Sequence, residues 1–317
     1  MSLTSRPTTS ADVIRARIFR FDPAIDERPR YESFEVPRGP RMRVIDVLDY
    51  VHESLARDIG YRWFCGTKKC GACAVTVNGS PRLACWEPAE PEMTIEPLRN
   101  LPVIRDLVTA REPYEELLAR LSPLLVRGAE YAGFPEPLAE ADMAPGSHLR
   151  DCIQCLACQG ACPVLAQGGT GFAGPAPLVA LAELALDPRD GEDRARLAEE
   201  VAHVFECVSC YECERVCPAE IPIVGDAIEP LKRMVYRRGA GGGARHARAF
   251  LEVVKSRGRA DAARLAAQSS RMSLGRLRTG ARLAGKGKVD VIDLFFKGPT
   301  KGSETVRSAY EAAEEEE

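Results

Sequence analysis

What most constrains this chain is where its cysteines fall. All twelve lie in three blocks: Cys65, Cys70, Cys73 and Cys85; Cys152, Cys155, Cys158 and Cys162; Cys207, Cys210, Cys213 and Cys217. The first reads C-x4-C-x2-C with a more distant fourth Cys, and the other two each read C-x2-C-x2-C-x3-C-P. Two-residue gaps let a tightly turning backbone aim three sulfurs at neighbouring corners of one body, while the fourth sulfur must come from elsewhere. These are the spacings of iron–sulfur ligation, plant-type in the first block and bacterial ferredoxin-type in the others. A chain with three such blocks is expected to fold around three clusters and to conduct electrons between them.

In the bacterial pattern the last Cys, followed by Pro, ligates the other cluster. Cys162, before Pro163, is therefore expected to complete a cube with Cys207, Cys210 and Cys213. Cys217, before Pro218, is expected to complete one with Cys152, Cys155 and Cys158. The exchange would staple the two blocks into one folding unit. Zinc fits less well, since its structural sites combine two Cys or His pairs around one tetrahedral ion and a triple C-x2-C-x2-C does not. Disulfides fit poorly too: no signal peptide is expected, and an acidic, helix-rich chain of 317 residues is not a small secreted scaffold.

Length predicts two domains and an appendage. The net charge of −3 hides an asymmetry. Between Lys232 and Lys288 only Glu252 and Asp261 interrupt a strongly basic stretch, so the remainder is acidic. Without a run of about 18 apolar residues no segment is expected to span a bilayer. The protein is expected to be soluble, or peripheral through a partner.

Along the chain, residues 1–11 are polar and Ser/Thr-rich and are expected to be disordered. Alternation from Val13 and again from Tyr31 to Val36 predicts two strands, and Val44 to Leu55 has helical spacing. A cysteine loop follows, then a strand from Ala74 ending in an Asn78-Gly79 turn, with Arg82 to Cys85 leading back. Leu101 to Arg127 has helical periodicity broken at Pro113 and Pro123. Helices are expected over Ala176–Leu186, Glu192–Glu206 and Pro222–Arg238, then a Gly239–Gly243 break, a basic helical appendage to about Lys288 and a disordered acidic tail, Glu311–Glu317. The fold class is α+β: an N-terminal β-grasp ferredoxin domain (12–100), a connecting helical segment (101–145), an all-α bacterial-type ferredoxin domain (146–238) and a basic helical extension with an acidic tail (239–317).

The chain resembles the iron–sulfur subunit of succinate dehydrogenases and fumarate reductases over roughly residues 12–235. The likeness rests on the cysteine blocks, on Tyr61-Arg-Trp-Phe-Cys65 and Cys70-Gly-Ala-Cys73, on Ile95-Glu-Pro-Leu-Arg-Asn-Leu-Pro-Val-Ile-Arg-Asp-Leu-Val108, and on Gly174-Pro-Ala with Asp187-Pro-Arg-Asp190. It implies that Cys65, Cys70, Cys73 and Cys85 hold a 2Fe-2S cluster next to a flavin, with FAD on a separate flavoprotein subunit. It implies that electrons pass to or from a quinone-binding membrane anchor, with the chain peripheral on the cytoplasmic face of the membrane. The familiar family member lacks a Cys at the position of Cys210 and holds a 3Fe-4S cluster there; this chain supplies all four ligands, so its distal cluster is expected to be a second 4Fe-4S. The family's quinone pocket commonly has a Trp shortly after the first Cys-Pro and a His after the next block's first Cys, whereas this chain has Gln167 and Val208.

That departure opens a different acceptor. Arg245-His-Ala-Arg-Ala-Phe250, with Gly258-Arg259, looks like the tail of small cluster subunits in heterodisulfide-reductase-type complexes, which dock a cysteine-rich cluster protein, as do thiol-linked and E-type fumarate or succinate enzymes. Phe250, Leu251 and Val253 to Val254 are read as an apolar docking face for such a partner. The leading function is therefore the electron-transfer subunit of a succinate or fumarate oxidoreductase, not catalytic alone. The alternative is a wire for another flavoprotein dehydrogenase or a thiol-linked reductase. A third class, a cluster-bearing nucleic-acid-binding protein, follows only from the basic stretch, which lacks aromatics between Phe250 and Phe295; no nucleic acid is expected. His52, His148, His203 and His246 are scattered and are expected to be ordinary surface or packing residues.

Overall fold

Strict alternation sets the first sheet. In β1 (Val13–Arg20) Ile14, Ala16 and Ile18 point inward while Arg15 and Arg17 face solvent. Burying one such isoleucine contributes about 1.5–3 kcal/mol. β2 (Arg30–Pro37) runs antiparallel to β1 and sets Val36 opposite Ile14 and Phe34 opposite Ala16. The computed structural model describes residues 13–131, 133–168, 171–239, 241–261 and 298–315, with positions 264, 265, 268, 282, 285 and 286. The polar N-terminal stretch and much of the basic segment beyond 261 lie outside the described residues.

α1 (Val44–Tyr50) buries Val44, Ile45, Val47 and Leu48, and the Asp46 carboxylate accepts the Arg43 N–H at 2.6 Å to close its first turn. Val51–Leu55 continues it as a π-helical turn. β3 (Ala74–Val77) and β4 (Ser80–Leu83) form a hairpin whose turn, Asn78 at φ 48° and Gly79 at φ 82°, has both central residues left-handed as such a hairpin demands. β5 (Glu92–Glu96), a strand absent from the expected elements, buries Met93 and Ile95 and pairs parallel with β1 and antiparallel with β3. The order β2-β1-β5-β3-β4, with α1 packed into the same core, is a β-grasp arrangement.

The helix expected from Leu101 begins later. A small hairpin, β6 (Val103–Arg105) and β7 (Val108–Thr109), comes first, turning at Asp106 with φ 46°. The Asp106 carboxylate accepts N–H groups of Phe21 at 2.9 Å and Gly60 at 2.8 Å and pairs with buried Arg20 at 3.2 Å. These long-range bonds override local periodicity. α2 (Glu112–Arg120) follows, and Pro113 lies in its first turn, where a missing N–H costs nothing, so it starts the helix instead of breaking it.

The second half is helical: α3 (Glu140–Met143), α4 (Ala157–Ala161), α5 (Pro163–Ala166), α6 (Pro175–Ala185), α7 (Arg194–Glu200), α8 (Glu212–Arg215) and α9 (Glu229–Arg238). The helix expected over Glu192–Glu206 is shorter, because His203 takes a left-handed conformation (φ 49°) and Val204–Glu206 forms a separate 3-10 turn. Pro222–Arg238 also divides: Ile223–Ile228 is a π-helical turn leading into α9. Pro230 has no N–H to donate to Asp226, and the wider turn lies just before it.

Arg194 ties the connecting segment to this half. Its buried guanidinium donates to the carbonyls of Leu121 (3.0 Å), Ser122 (2.6 Å) and Leu124 (2.8 Å) and to both Asp190 oxygens (2.7 and 2.9 Å). The chain through Leu231 packs as one unit, and Lys232 onward as a second. In the second unit α10 (Gly242–Arg257) lies along the helix Ser303–Glu315, and the Arg257 carbonyl accepts the Thr300 hydroxyl at 2.7 Å. Two expectations change here. The acidic tail is helical through Glu315, and Val253 is buried with Ala244 and Ala249, so only Phe250 of the supposed docking face is well exposed.

Candidate metal centres

The loop from Cys65 to Cys73 turns its amides inward. Cys65 Sγ accepts N–H groups from Thr67 (3.4 Å), Lys69 (3.3 Å) and Cys70 (3.3 Å). These donors, Thr67 first, pull the Cys65 thiol down to about 6. Cys73 enters β3 and Cys85 leaves β4. Because Ala74 opposes Leu83 and Ala84 N–H reaches the Cys73 carbonyl at 3.0 Å, the hairpin holds these two cysteines side by side. Burial first, then neighbouring Cys85 and Cys70, push the Cys73 thiol up to about 12. Around this end Trp63, Phe64 and Trp86 are exposed, Phe64 by 84%. Arg43 and Lys68 both stand over the Trp86 ring.

The second and third blocks interleave. One cavity is lined by Cys152, Cys155, Cys158 and Cys217, with Ala176, Val179 and Ile223 among its apolar walls. A second is lined by Cys162, Cys207, Cys210 and Cys213, with Phe172, Pro175 and Ile228. Cys162 thus sits with the third block and Cys217 with the second. The crossing follows from local geometry. Leu156 and Tyr211 are each left-handed (φ 63° and 62°) just before α4 and α8, so each block folds back after its second Cys, and the Pro that follows each fourth Cys starts the next segment in another direction.

Burial raises the thiols of Cys155 (to about 11), Cys158 (well above its usual value) and Cys213 (to about 12). Four thiolates in such apolar walls demand a cationic partner, and iron supplies one. Among the described residues no three Cys, His, Asp or Glu side chains gather closely enough to hold a single ion. The sulfurs ring a volume instead of the point that Zn–S bonds of about 2.3 Å require. The donor set and the shape of the cavities therefore fit cubane clusters, with no histidine in either lining. Cys210 is exposed, as are Val208 (66%) and Tyr211 (55%), so the second cavity lies at the surface.

The centres are packed together. A Cβ on Gly71 (φ 70°) would fall 2.8 Å from the Ile153 carbonyl and 2.9 Å from Cys155 Cα, so the first loop touches the backbone of the second block. Arg111 donates to the Gln154 carbonyl at 2.9 Å, and Asn100 to the carbonyls of Gln159 (2.8 Å) and Cys162 (3.0 Å). Sequence reasoning passed over Asn100, Arg111 and Gln159 as functional residues. Asn100 lies within one of the motifs that carry the family resemblance, but nothing local indicates its long-range partners.

This combination defines an iron–sulfur protein of two ferredoxin-like modules. Residues 15–116 match the 2Fe-2S iron–sulfur cluster binding domain family and residues 148–221 the 4Fe-4S dicluster domain family. The chain is 30% identical over 253 residues to the fumarate reductase iron–sulfur subunit of Mycobacterium tuberculosis, covering 73% of this chain and 99% of that relative. It belongs to the family of fumarate reductase and succinate dehydrogenase iron–sulfur subunits. It is 36% identical over 229 residues to a subunit of the fumarate reductase (CoM/CoB) of Methanothermobacter marburgensis, matching 72% of this chain but only 46% of that longer protein. A chain of the Mycobacterium smegmatis Sdh1 complex superposes with TM-score 0.66 at 29% identity, covering 71% of this chain and 96% of the other. Among the described residues no helix is long and apolar enough to cross a membrane.

Proposed function

We propose that the chain is the electron-conducting subunit of a succinate dehydrogenase or fumarate reductase complex, carrying one 2Fe-2S and two 4Fe-4S clusters. Cys65, Cys70, Cys73 and Cys85 hold the first cluster. Cys152, Cys155, Cys158 and Cys217 hold the proximal cube, and Cys162, Cys207, Cys210 and Cys213 the distal one. The carrying observation is the crossed lining of the two cavities, each closed by the last Cys of the other block. Bound there, the clusters would relay single electrons between a flavin and a distal acceptor. The chain's own residues do the rest: amides polarise Cys65, apolar side chains line the two cube sites, and the Gly71 contact keeps the first loop against the second block. The flavoprotein, bearing FAD, docks at the exposed Trp63, Phe64 and Trp86.

Beyond the distal cube, a cysteine-rich or thiol-linked partner is favoured over a quinone-binding membrane anchor. Gln167 and Val208 are both exposed and offer neither an aromatic wall nor a titratable side chain, and one relative carries CoM/CoB in its name. Either partner keeps the chain on the cytoplasmic face of the membrane or in the cytoplasm. The test is iron and acid-labile sulfide on anaerobically purified protein, expected at about ten irons per chain from two plus four plus four. Iron for a single cluster, or zinc alone, overturns the reading. Purification of the native complex should recover flavin on a separate polypeptide.

A further inference from the structure

A short polar chain links α4 to the start of α6, beside the two cubane cavities. Gln159 lies on α4, between Cys158 of one cavity and Cys162 of the other, and is only 6% exposed. Its carboxamide nitrogen donates to the Ala173 carbonyl at 3.1 Å, and its carboxamide oxygen accepts the Ala176 N–H at 3.2 Å. Ala176 is in the first turn of α6, where N–H groups have no partner within the helix. α6 serves both sites, giving Ala176 and Val179 to the first cavity and Pro175 to the second. Gly174 (φ 85°) leaves room for this bond, since a Cβ there would overlap the Gln159 carboxamide.

The same residue is held from the other side. Asn100, in the first module and left-handed at φ 63°, donates one amide group to the carbonyls of Gln159 and Cys162. Those carbonyls lie at the end of α4, where Gln159 O also accepts the Cys162 N–H at 3.3 Å and Cys162 O the Ala166 N–H at 3.2 Å, so Asn100 adds a second donor to each. One continuous path therefore runs from Asn100 through Gln159 to the start of α6. It touches the backbone of Cys162, which lines one cavity from a segment whose other cysteines line its neighbour.

We propose that Gln159, braced by Asn100, is a positioning residue for electron transfer between the two cubes: it fixes the shared wall and thereby the spacing and environment of both clusters. This rests on the two-cube assignment above. It goes further in giving a role to side chains that are not ligands.

The test uses full-length protein in its native complex, purified anaerobically, with Gln159→Leu and Asn100→Gly variants. Gln159→Leu keeps length and removes both carboxamide bonds, while Asn100→Gly suits the left-handed backbone and removes only the brace. Iron and sulfide counts come first, because a wild-type protein lacking two cubes defeats the functional reading and not this proposal in particular. With cubes present, the expected result is a changed spin–spin interaction in the electron paramagnetic resonance spectrum of the fully reduced protein. Shifted reduction potentials of both cubes and an unchanged 2Fe-2S signal should accompany it, with a smaller change in Asn100→Gly. A purely structural role would lower the melting temperature and leave potentials and interaction at wild-type values, and that outcome overturns the proposal. Should Gln159→Leu fail to assemble, Asn100→Gly decides on the same measurements.

Discussion

Gly71, in the first cysteine loop, lies directly against Cys155 of the second block: its left-handed backbone (φ 70°) leaves no space where a Cβ would meet Cys155 Cα and Cβ, each at 2.9 Å. Cys155 and Ala157 belong to the same apolar cluster as Ile14, Val47 and Ile95 of the β-grasp module. The two modules thus share a core, and the first cysteine loop meets the second block through a backbone contact that only glycine permits.

Substituting Gly71→Ala should separate those surfaces. The overlap with the Ile153 carbonyl and the left-handed backbone together should cost about 1–3 kcal/mol of apparent stability. Denaturant unfolding of the anaerobic protein measures it, and the reduced 2Fe-2S signal should show a weakened interaction with the proximal cube. An unchanged midpoint would mean that the two backbones are not in contact.

Cys210 is the exposed member of the set lining the second cavity and, in the proposed assignment, the fourth ligand of the distal cube. Replacing Cys210→Ser should convert the distal cluster into a 3Fe-4S species with a signal in the oxidised state, because the other three thiols stay in buried or half-buried positions. If the wild-type protein, kept anaerobic, already carries that signal stoichiometrically, Cys210 is not a ligand.

Much of this site was legible because cysteine spacing is chemical punctuation that survives without three-dimensional information. The crossed lining of the two cavities is the one that C-x2-C-x2-C-x3-C-P leads to, and β1, β2 and the Asn78-Gly79 hairpin follow from alternation and turn chemistry. β5 went unseen because Glu92–Glu96 is short and gains its place only by inserting between β1 and β3. The stretch after Leu101 misled because Asp106 trades local helical spacing for bonds to Phe21, Gly60 and Arg20, residues far away in sequence. Asn100 and Gln159 escaped for the same reason. A polar side chain that ties two modules leaves no periodic trace.

Stability should depend on pH through Asp190. Burial pushes its carboxyl up, but the hydrogen bonds from Arg194 and from the Val126 amide outweigh this and hold it below the usual carboxylate range. A depressed folded value means the contribution is complete above the unfolded value of about 3.9 and disappears as pH falls through the folded one. Arg194→Leu should cost about 3–5 kcal/mol near neutrality, because it strands a buried carboxylate, and should erase this acid-side loss. Thermal melts of both proteins between neutrality and pH about 3 read the difference. An equal acid-side slope in wild type and variant would remove Asp190 from the account.

The segment after Gly239 has the clearest division of labour to test. All twelve cysteines precede it, and α10 with the helix Ser303–Glu315 belongs to the second packing unit. Because α10 turns Ala249 and Val253 inward, the surface left for a partner is its basic face, Arg245, His246 and Arg248, with Phe250 exposed by 40%. Such a surface suits an acidic partner more than an apolar groove, and its binding should weaken as salt screens the charges. Ending the chain at Gly239 should leave iron, sulfide and the proposed flavoprotein in place and release the partner proposed to exchange electrons with the distal cube. Reduction of the three clusters by the flavoprotein's substrate should persist while delivery to the physiological acceptor stops. A truncated chain that retains the whole complex and full acceptor activity would show that the second unit is dispensable for docking.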